Sequence, residues 1–461
     1  MDVEYFRELT RYQFEGRKLI LAGAPLAAFT PAVKTFRDLG AQELFILASG
    51  LGSGALPSAE DARWFIMNTE SDSIIGSFRL TENLLHHPPP EIVRALDEWD
   101  PQREAVMLAG PFFYQDSIAG RFVYGWRRPE WLALEDKLVA DEIWDAAGVE
   151  RAPSSIIPVD RLAIERATPG FDRGAGVVLA GDARDGFNGG AEYTRWIERD
   201  GDLSEPLRFF GRHCDRVRIM PFLEGIPCSI HGIVFPEGVA ALRPCEIMTL
   251  RRFPKKLKYC GVASFWDPED RDREAMRSVA RRVGEHLRAR VGYRGAFTVD
   301  GVMTESGFLP TELNTRAGAG IGTLLTGLPQ LGMGSINRAL IEGEQLDYRA
   351  DEFERLVLES ADGKRGGGGW TGVEKKASST ETVLLAGTGD GRFEVSGEED
   401  ETVASLHLGP GEQGGLVRFT PDPEKTPAGP SAAPLVVAAF RLADRLWDVG
   451  LGDLSAAPSV R

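Results

Sequence analysis

Apolar residues recur along this chain with two different periods, and the changes of period divide it. "RKLILAG" (17–23) and "ELFILAS" (43–49) are unbroken apolar runs closed by small or polar residues, the mark of strands buried on both faces. Between them "PAVKTFRDLG" has helical spacing and stops at Gly40. "PEIVRALDEWD" followed by "EAVMLAGP" repeats the helix–strand order, so residues 1–134 predict an α/β unit with a mostly parallel sheet. The spacing then changes. "LALEDKLVADEIWDAAG" reads as a helix closed by Gly148, and "GVVLAGDARDGFNGGAEY" as a strand entering a glycine-rich turn. "RVRIMPFLEGIPCSIHGIVF" reads as two strands around a Glu-Gly turn. "DPEDRDREAMRSVARRVGEHLRARVG" is the strongest helix, with Asp267 as its cap, Pro268 in the first turn and Met276, Val279, Ala280, Val283 and Leu287 as its apolar stripe.

Beyond residue 360 glycine takes over. "DGKRGGGGWTGVEKKASST" predicts a flexible linker at Gly366–Gly369, "PDPEKTPAGPSAAP" a second one, with short β-like runs between and a last helix bearing Leu435, Val436, Phe440, Leu446 and Trp447. The expected units are 1–134, 135–216, 217–360 and 361–461.

Charge and cysteine content narrow the partners. A net charge of −16 argues against nucleic acid, whose phosphates are bound by Lys and Arg. Cys214, Cys228, Cys245 and Cys260 form no CxxC pair, which argues against a zinc ribbon and suits a reducing compartment. "MDVEYFRELTRYQF" carries acids and lacks the basic start and apolar centre of a signal peptide, and no run approaches the roughly 18 apolar residues of a membrane span. The expectation is a cytoplasmic protein with no membrane partner.

Candidate chemistry concentrates in "GAFTVDGVMTESGFLPTELNTR" (295–316). The stretch reads as a hairpin with "TESG" at its turn. Alternation puts Glu312, Asn314 and Arg316 on one strand face, and cross-strand pairing brings Asp300 towards Glu312 or Asn314. Two carboxylates and an amide oxygen are hard ligands suited to Mg²⁺ shared with phosphates, and Arg316 suits a phosphoryl group or a developing oxyanion. A solvated, merely charged strand face is the plain alternative.

Five segments in order turn that balance, because together they resemble the ATP-grasp fold. "EDKLVADEIWDAAGVERAP" resembles the opening segment, implying that Lys137 reaches ATP phosphates. "VVLAGDARDGFNGGAEY" resembles the strand and phosphate loop, implying contacts from Gly189 and Gly190. "RIMPFLEGIPCSI" resembles the hinge, implying adenine contacts from Met220, Phe222 and Leu223 and a ribose contact from Glu224. "KKLKY" resembles the basic approach to the acyl group, implying Lys258 beside Arg316 at the tetrahedral oxyanion. "FTVDGV…TELNTR" resembles the metal hairpin of Asp300, Glu312 and Asn314. The layout and "AGDARDGFNGG" further resemble the pre-ATP-grasp subgroup, known through a peptide ligase of the pheganomycin pathway. One departure stands out: where many relatives carry a lysine at the end of the "VVxK" strand this chain has Ala180, with Arg184 the nearest cation.

The resemblance implies an ATP- and Mg²⁺-dependent carboxylate–amine ligase. It would join a small carboxylate, such as an amino acid, to an amine or peptide through an acyl phosphate, with no catalytic Cys or Ser; a homodimer is compatible with it. Two other readings stay open. Ala180 is compatible with a degenerate, non-catalytic nucleotide-binding protein. "GLGSGA" (50–55), with Glu70 downstream, matches a dinucleotide fingerprint and an oxidoreductase, although it follows the second strand and reads better as a mobile active-site loop. His86 and His87 read as a surface pair, His231 as a half-buried strand histidine, Tyr124, Trp126 and Trp131 as packing at a junction, and Arg251, Arg252, Lys255, Lys256 and Lys258 as a basic cluster that is either solvated or anion-binding.

Overall fold

The computed structural model describes residues 2–69, 71, 74–110, 113–184, 191, 193–198, 201–252, 256–389, 391–397, 401–411 and 413–458. It is an α/β molecule, and the described residues form three sheets. The first holds β1 (Lys18–Ala22), β2 (Glu43–Ala48), β3 (Arg63–Ile66), β4 (Val106–Leu108), β5 (Ser117–Ile118) and β6 (Arg121–Tyr124) in the order β3-β2-β1-β4-β6-β5. Its pairings are parallel except β5 with β6. The apolar runs of β1 and β2 feed two cores, with Leu19, Leu21, Leu44 and Ile46 on one face and Ile20, Phe45 and Leu47 on the other. That is why they show no polar alternation. The "GLGSGA" loop, expected at an active site, packs away from the candidate cavity. Ser53 Oγ lies 3.0 Å from Thr380 Oγ1, a Cβ at Gly52 would meet Pro25, and none of residues 50–55 lines the large cavity described below. Nor does the loop open a helix, which a dinucleotide turn requires.

The second sheet, β7 (Ser155–Pro158), β8 (Val177–Gly181), β9 (Thr194–Ile197) and β10 (Arg216–Pro221), is antiparallel in the order β7-β10-β8-β9. The third is the largest. It contains β11 (Ile226–Val234), β12 (Val239–Ala241), β13 (Cys245–Arg252), β14 (Lys256–Ala263), β15 (Gly295–Thr304), β16 (Gly307–Asn314), β17 (Gly367–Val373), β18 (Glu381–Gly387), β19 (Phe393–Val395), β20 (Ala404–Gly411), β21 (Gly414–Pro421) and β22 (Leu454–Ser455). Its main path runs β16-β15-β11-β13-β14-β17-β21-β20-β18-β19. The two strands expected around the Glu-Gly turn are β10 and β11, and the turn hands the chain from one sheet to the next, since they lie in different sheets. Gly225 makes the handover with φ +148°, where a Cβ would sit 2.0 Å from the Met303 carbonyl oxygen.

The glycine-rich stretch after residue 360 is not a linker. Gly367–Gly369 belong to β17, paired with β14 on one side and leading into the β17–β21 ladder on the other. Close approach explains the composition. A Cβ would lie 2.3 Å from the Val262 carbonyl oxygen at Gly367, 2.3 Å from the Phe419 carbonyl oxygen at Gly368, and 2.3 Å from Val436 Cγ1 at Gly369. The second expected linker is tied down too, by Ser431 and Ala432 donating to Glu246. The C-terminal helix (Ala433–Trp447) then packs Val436, Phe440 and Leu442 against Met248, Leu250 and Cys260 of β13 and β14. The long helix begins at Asp270 with Glu269 as its cap. Asp267, expected there, instead bonds Arg243, Arg273 and Arg365. No helix among the described residues is long and apolar enough to cross a membrane.

Candidate active site

A cavity of about 1010 Å³ lies between the second and third sheets. The hairpin of β15 and β16 forms its charged end. Asp300 pairs directly with Glu312 and Thr298 with Asn314, so both carboxylates and the amide share one face. A bulge at Asp300/Gly301 aims the pair. Asn314 Nδ2 donates to Asp300 Oδ2 at 2.9 Å, which leaves its carbonyl oxygen to face elsewhere. Lys137, 5% exposed, donates from Nζ to Glu312 Oε1 at 3.1 Å. Burial, and then the charge of Glu312, push Asp300 well above the ordinary carboxylate range, against the pull of Arg316, Lys137 and the Asn314 bond. This end of the cavity therefore favours an additional cation.

Arg316 lies just past β16 and lines the cavity. Glu135 anchors it, Nη1 to Oε2 at 2.6 Å, and the same carboxylate takes Arg127 and the Thr315 hydroxyl. Burial alone would raise Glu135, but Arg127 and Arg316 hold it below its usual range. Glu135 was missed in the sequence, although its place two residues before Lys137 was available as a signal.

On the opposite jaw, Ala180 and Arg218 face each other across β8 and β10 and both line the cavity. Arg218 is 1% exposed. It donates twice to Asp141, at 3.0 and 2.6 Å, and once to the Thr311 carbonyl at 3.0 Å. It supplies a cation beside the alanine, and an arginine inside the apolar strand "RVRIM" was its sequence signal. Arg184 does not take that place. β8 ends at Gly181, Asp182 accepts the amides of Asp215 and Arg216, and Arg184 turns to Asp215 (2.9 Å) and the Arg212 carbonyl, off the cavity wall. Gly189 and Gly190 lie outside the described residues.

Met220, Phe222 and Leu223 line the hinge end of the cavity. Phe222 stacks on Trp196 with centroids 3.9 Å apart, and Arg251 lies over both rings. Glu224, expected at the ribose, is instead paired with Arg251 at 2.6 Å and is absent from the cavity wall.

Lys258 is separated from the acids. Along β13 and β14 the pairs Thr249–Tyr259 and Arg251–Leu257 share the face of Asp300, whereas Leu250–Lys258 and Arg252–Lys256 face the C-terminal helix. Burial lowers the Lys258 pKa, and the charges acting on it include Arg252 and Asp444, not Asp300. The residue beside Asp300 is Tyr259, whose hydroxyl is raised by burial and then by that carboxylate. Lys255 lies outside the described residues.

His231 is 1% exposed rather than half-buried, and bonds Thr298 Oγ1 (2.9 Å) and Ser229 Oγ (3.2 Å). Burial lowers it to about 3, so it is neutral at physiological pH. A Cβ at Gly320 would lie 2.1 Å from its Nε2, which explains the small residues after Arg316. His86 is buried and stacked on Tyr114 at 3.7 Å, while His87 is exposed, so the two are not a surface pair. Tyr124 and Trp131 pack at the junction, through Tyr12 and the Val291 carbonyl. All four cysteines are buried and free.

No protein-family model matches the chain, and no curated protein does. Solved structures do. The biotin carboxylase domain of the Hydrogenobacter thermophilus 2-oxoglutarate carboxylase, in complex with MgADP, ADP and bicarbonate, is 15% identical over 96% of this chain and 91% of that one, with a TM-score of 0.54. Rhizobium etli pyruvate carboxylase is 14% identical over 94% of this chain and 37% of that one, with a TM-score of 0.53. An L-amino acid ligase from Bacillus licheniformis is 11% identical over 88% and 94%, with a TM-score of 0.48. The likeness to the two carboxylases shows the fold alone: this chain has the two-jawed ATP-grasp architecture.

Proposed function

We propose that the chain is an ATP-dependent carboxylate–amine ligase that forms an amide through an acyl phosphate. The observation that carries this reading is the paired Asp300, Glu312 and Asn314, facing Lys137 and Arg316 in one cavity between two sheets. Such a site suits Mg²⁺, since two half-buried carboxylates stand together and the Asn314 amide oxygen is left unused by its Nδ2 bond. Among the described residues no group of three or more His, Cys, Asp and Glu could hold a metal, so phosphate oxygens and water would complete the oxygen shell. The MgADP carried by the like-folded biotin carboxylase domain supports the same cofactors here. The ion would supply charge neutralisation at the β- and γ-phosphates.

The chain's own residues would do the rest. Lys137 and Arg218 hold the phosphates from the two jaws, with Gly189 and Gly190 assigned to them by resemblance alone. Met220, Phe222 and Leu223 enclose the base. A substrate carboxylate oxygen attacks the γ-phosphorus and ADP leaves. The amine then adds to the acyl carbon, Arg316 stabilises the oxyanion, and phosphate departs as the amine loses its proton. Arg218 opposite Ala180 weighs against a degenerate site. Within this reading, the layout resembling the pre-ATP-grasp subgroup favours ligation of amino acids or peptides in natural-product assembly.

The test is incubation with ATP, Mg²⁺ and a panel of amino acid pairs, with chromatography of nucleotides and mass spectrometry of products. ADP and phosphate should form in step with an amide. AMP matching the amide would refute the acyl phosphate, and absence of amide across the panel would refute the ligase.

A further inference from the structure

The third sheet has a gap. β14 and β17 pair only from Gly261 to Ala263 and from Gly367 to Gly369. Before Gly261, β14 keeps β13 as its partner, and after Gly369, β17 keeps β21. The two strands diverge between those ladders, and the cavity runs into the opening. Its lining includes Thr249, Tyr259 and Trp370 on the face of Asp300, and also Arg252, Lys258 and Thr371 on the face turned to the C-terminal helix. The rings of Tyr259 and Trp370 meet edge to face at 5.5 Å and form the apolar rim on the Asp300 side.

The rear mouth is basic. Arg252 and Lys256 are directly paired, and Lys258 is their diagonal neighbour on the same face. Like charges so placed repel. Among the described residues none of the three has a carboxylate within ion-pair distance, in a chain whose net charge is −16. Asp444, the acid acting on Lys258, is engaged with the amides of Leu451 (2.8 Å) and Gly452 (3.0 Å). Those bonds hold the irregular return of Val449–Leu451 against the mouth, where Arg252 Nη2 reaches the Gly450 carbonyl at 3.4 Å. The result is two cations bordered by apolar side chains, Val449 and Leu451. It matches a carboxylate carried on a small apolar body.

We propose that the cavity passes through the sheet, and that its rear mouth admits the amine-bearing substrate and holds that substrate's own carboxylate on Lys258 and Arg252. The inference rests on the ligase reading for the word "amine" and on the sheet gap for the site. It also resolves an access problem. A nucleotide between the jaws fills the front of the cavity, so an acceptor approaching the acyl carbon near Asp300 needs a separate way in.

Two measurements separate this inference from the ligase reading. In the first, isothermal titration compares each common L-amino acid with its carboxamide on the wild-type chain, Arg252→Ala and Lys258→Ala. At least one amino acid should bind, its amide about tenfold or more weaker, and each variant should weaken the acid by about tenfold while leaving the amide unchanged. Lys258→Arg should restore binding, which a purely structural role in the fold would not predict. Equal binding of acid and amide, unchanged binding in both variants, or binding by no amino acid overturns the subsite. In the second, hydroxylamine replaces the amine and hydroxamate is measured with ATP, Mg²⁺ and the same amino acids as donors. The alanine variants should form hydroxamate at the wild-type rate. Loss of hydroxamate in the variants would place these residues at the nucleotide end and overturn the subsite, whereas its absence in the wild type refutes the ligase and leaves the titration to decide the subsite.

Discussion

Glu246 holds the C-terminal segment onto the third sheet, and its burial makes that attachment depend on pH. It is 1% exposed on the rear face of β13 and accepts from Ser431 Oγ (2.5 Å), Ala432 N (2.7 Å) and Ala433 N (3.4 Å) at the start of the C-terminal helix. Burial raises it from 4.5 to about 7 despite those three donors. A carboxyl raised on folding stabilises the native state fully below its unfolded value, near pH 4.5, and that contribution is lost as pH rises through 7. At about 1.4 kcal/mol per pKa unit the loss is about 3 kcal/mol, or roughly a hundredfold in a local opening equilibrium. Glu246→Gln does not titrate; its single amide oxygen can keep the Oε1 bonds but not the one from Ala432, a pH-independent loss that leaves the pH dependence of the ratio unchanged. Hydrogen exchange of the helix amides, measured in both chains from pH 4.5 to 8, cancels the intrinsic pH dependence. The ratio of wild-type to variant protection should fall by about a hundredfold across that range and level off above pH 8. A ratio independent of pH would refute the argument, because Glu246 would then titrate as it does in the unfolded chain.

Three other perturbations follow from the geometry. Asp300→Asn and Glu312→Gln should each lower turnover by about a hundredfold or more at saturating Mg²⁺ with little change in Tm, and near-wild-type turnover would remove the cation assignment. Asp141→Asn leaves the buried Arg218 guanidinium without its carboxylate and should cost about 3–5 kcal/mol in denaturant unfolding; a loss under about 1 kcal/mol would show that the pair is not desolvated. Gly369→Ala would ordinarily stabilise a strand slightly, but its Cβ would meet Val436 Cγ1 at 2.3 Å, so a loss of about 1–3 kcal/mol is expected, against no loss for Gly363→Ala, which has open space.

Period and spacing determined most of the local structure. The uninterrupted apolar runs of β1 and β2 could only be strands covered on both sides, and the alternation in "TELN" fixed which side chains share a face with Asp300 once the hairpin formed. What one-dimensional spacing cannot carry is the partner across space. Glycine at 366–369 reads as a flexible linker until the Val262 and Phe419 carbonyls and Val436 are in place; the residues are small because three neighbours leave no room, not because the chain must bend. "KKLKY" shows a basic cluster but not that β14's pairing turns Lys258 away from Asp300 and Tyr259 towards it, a difference of one position in a ladder. Likewise Ala180 looked like a missing cation, and Arg184, four residues along, like its replacement. The cation beside it is Arg218, 38 positions away in sequence and directly opposite in the sheet, because hydrogen bonding between strands sets distances that sequence separation does not.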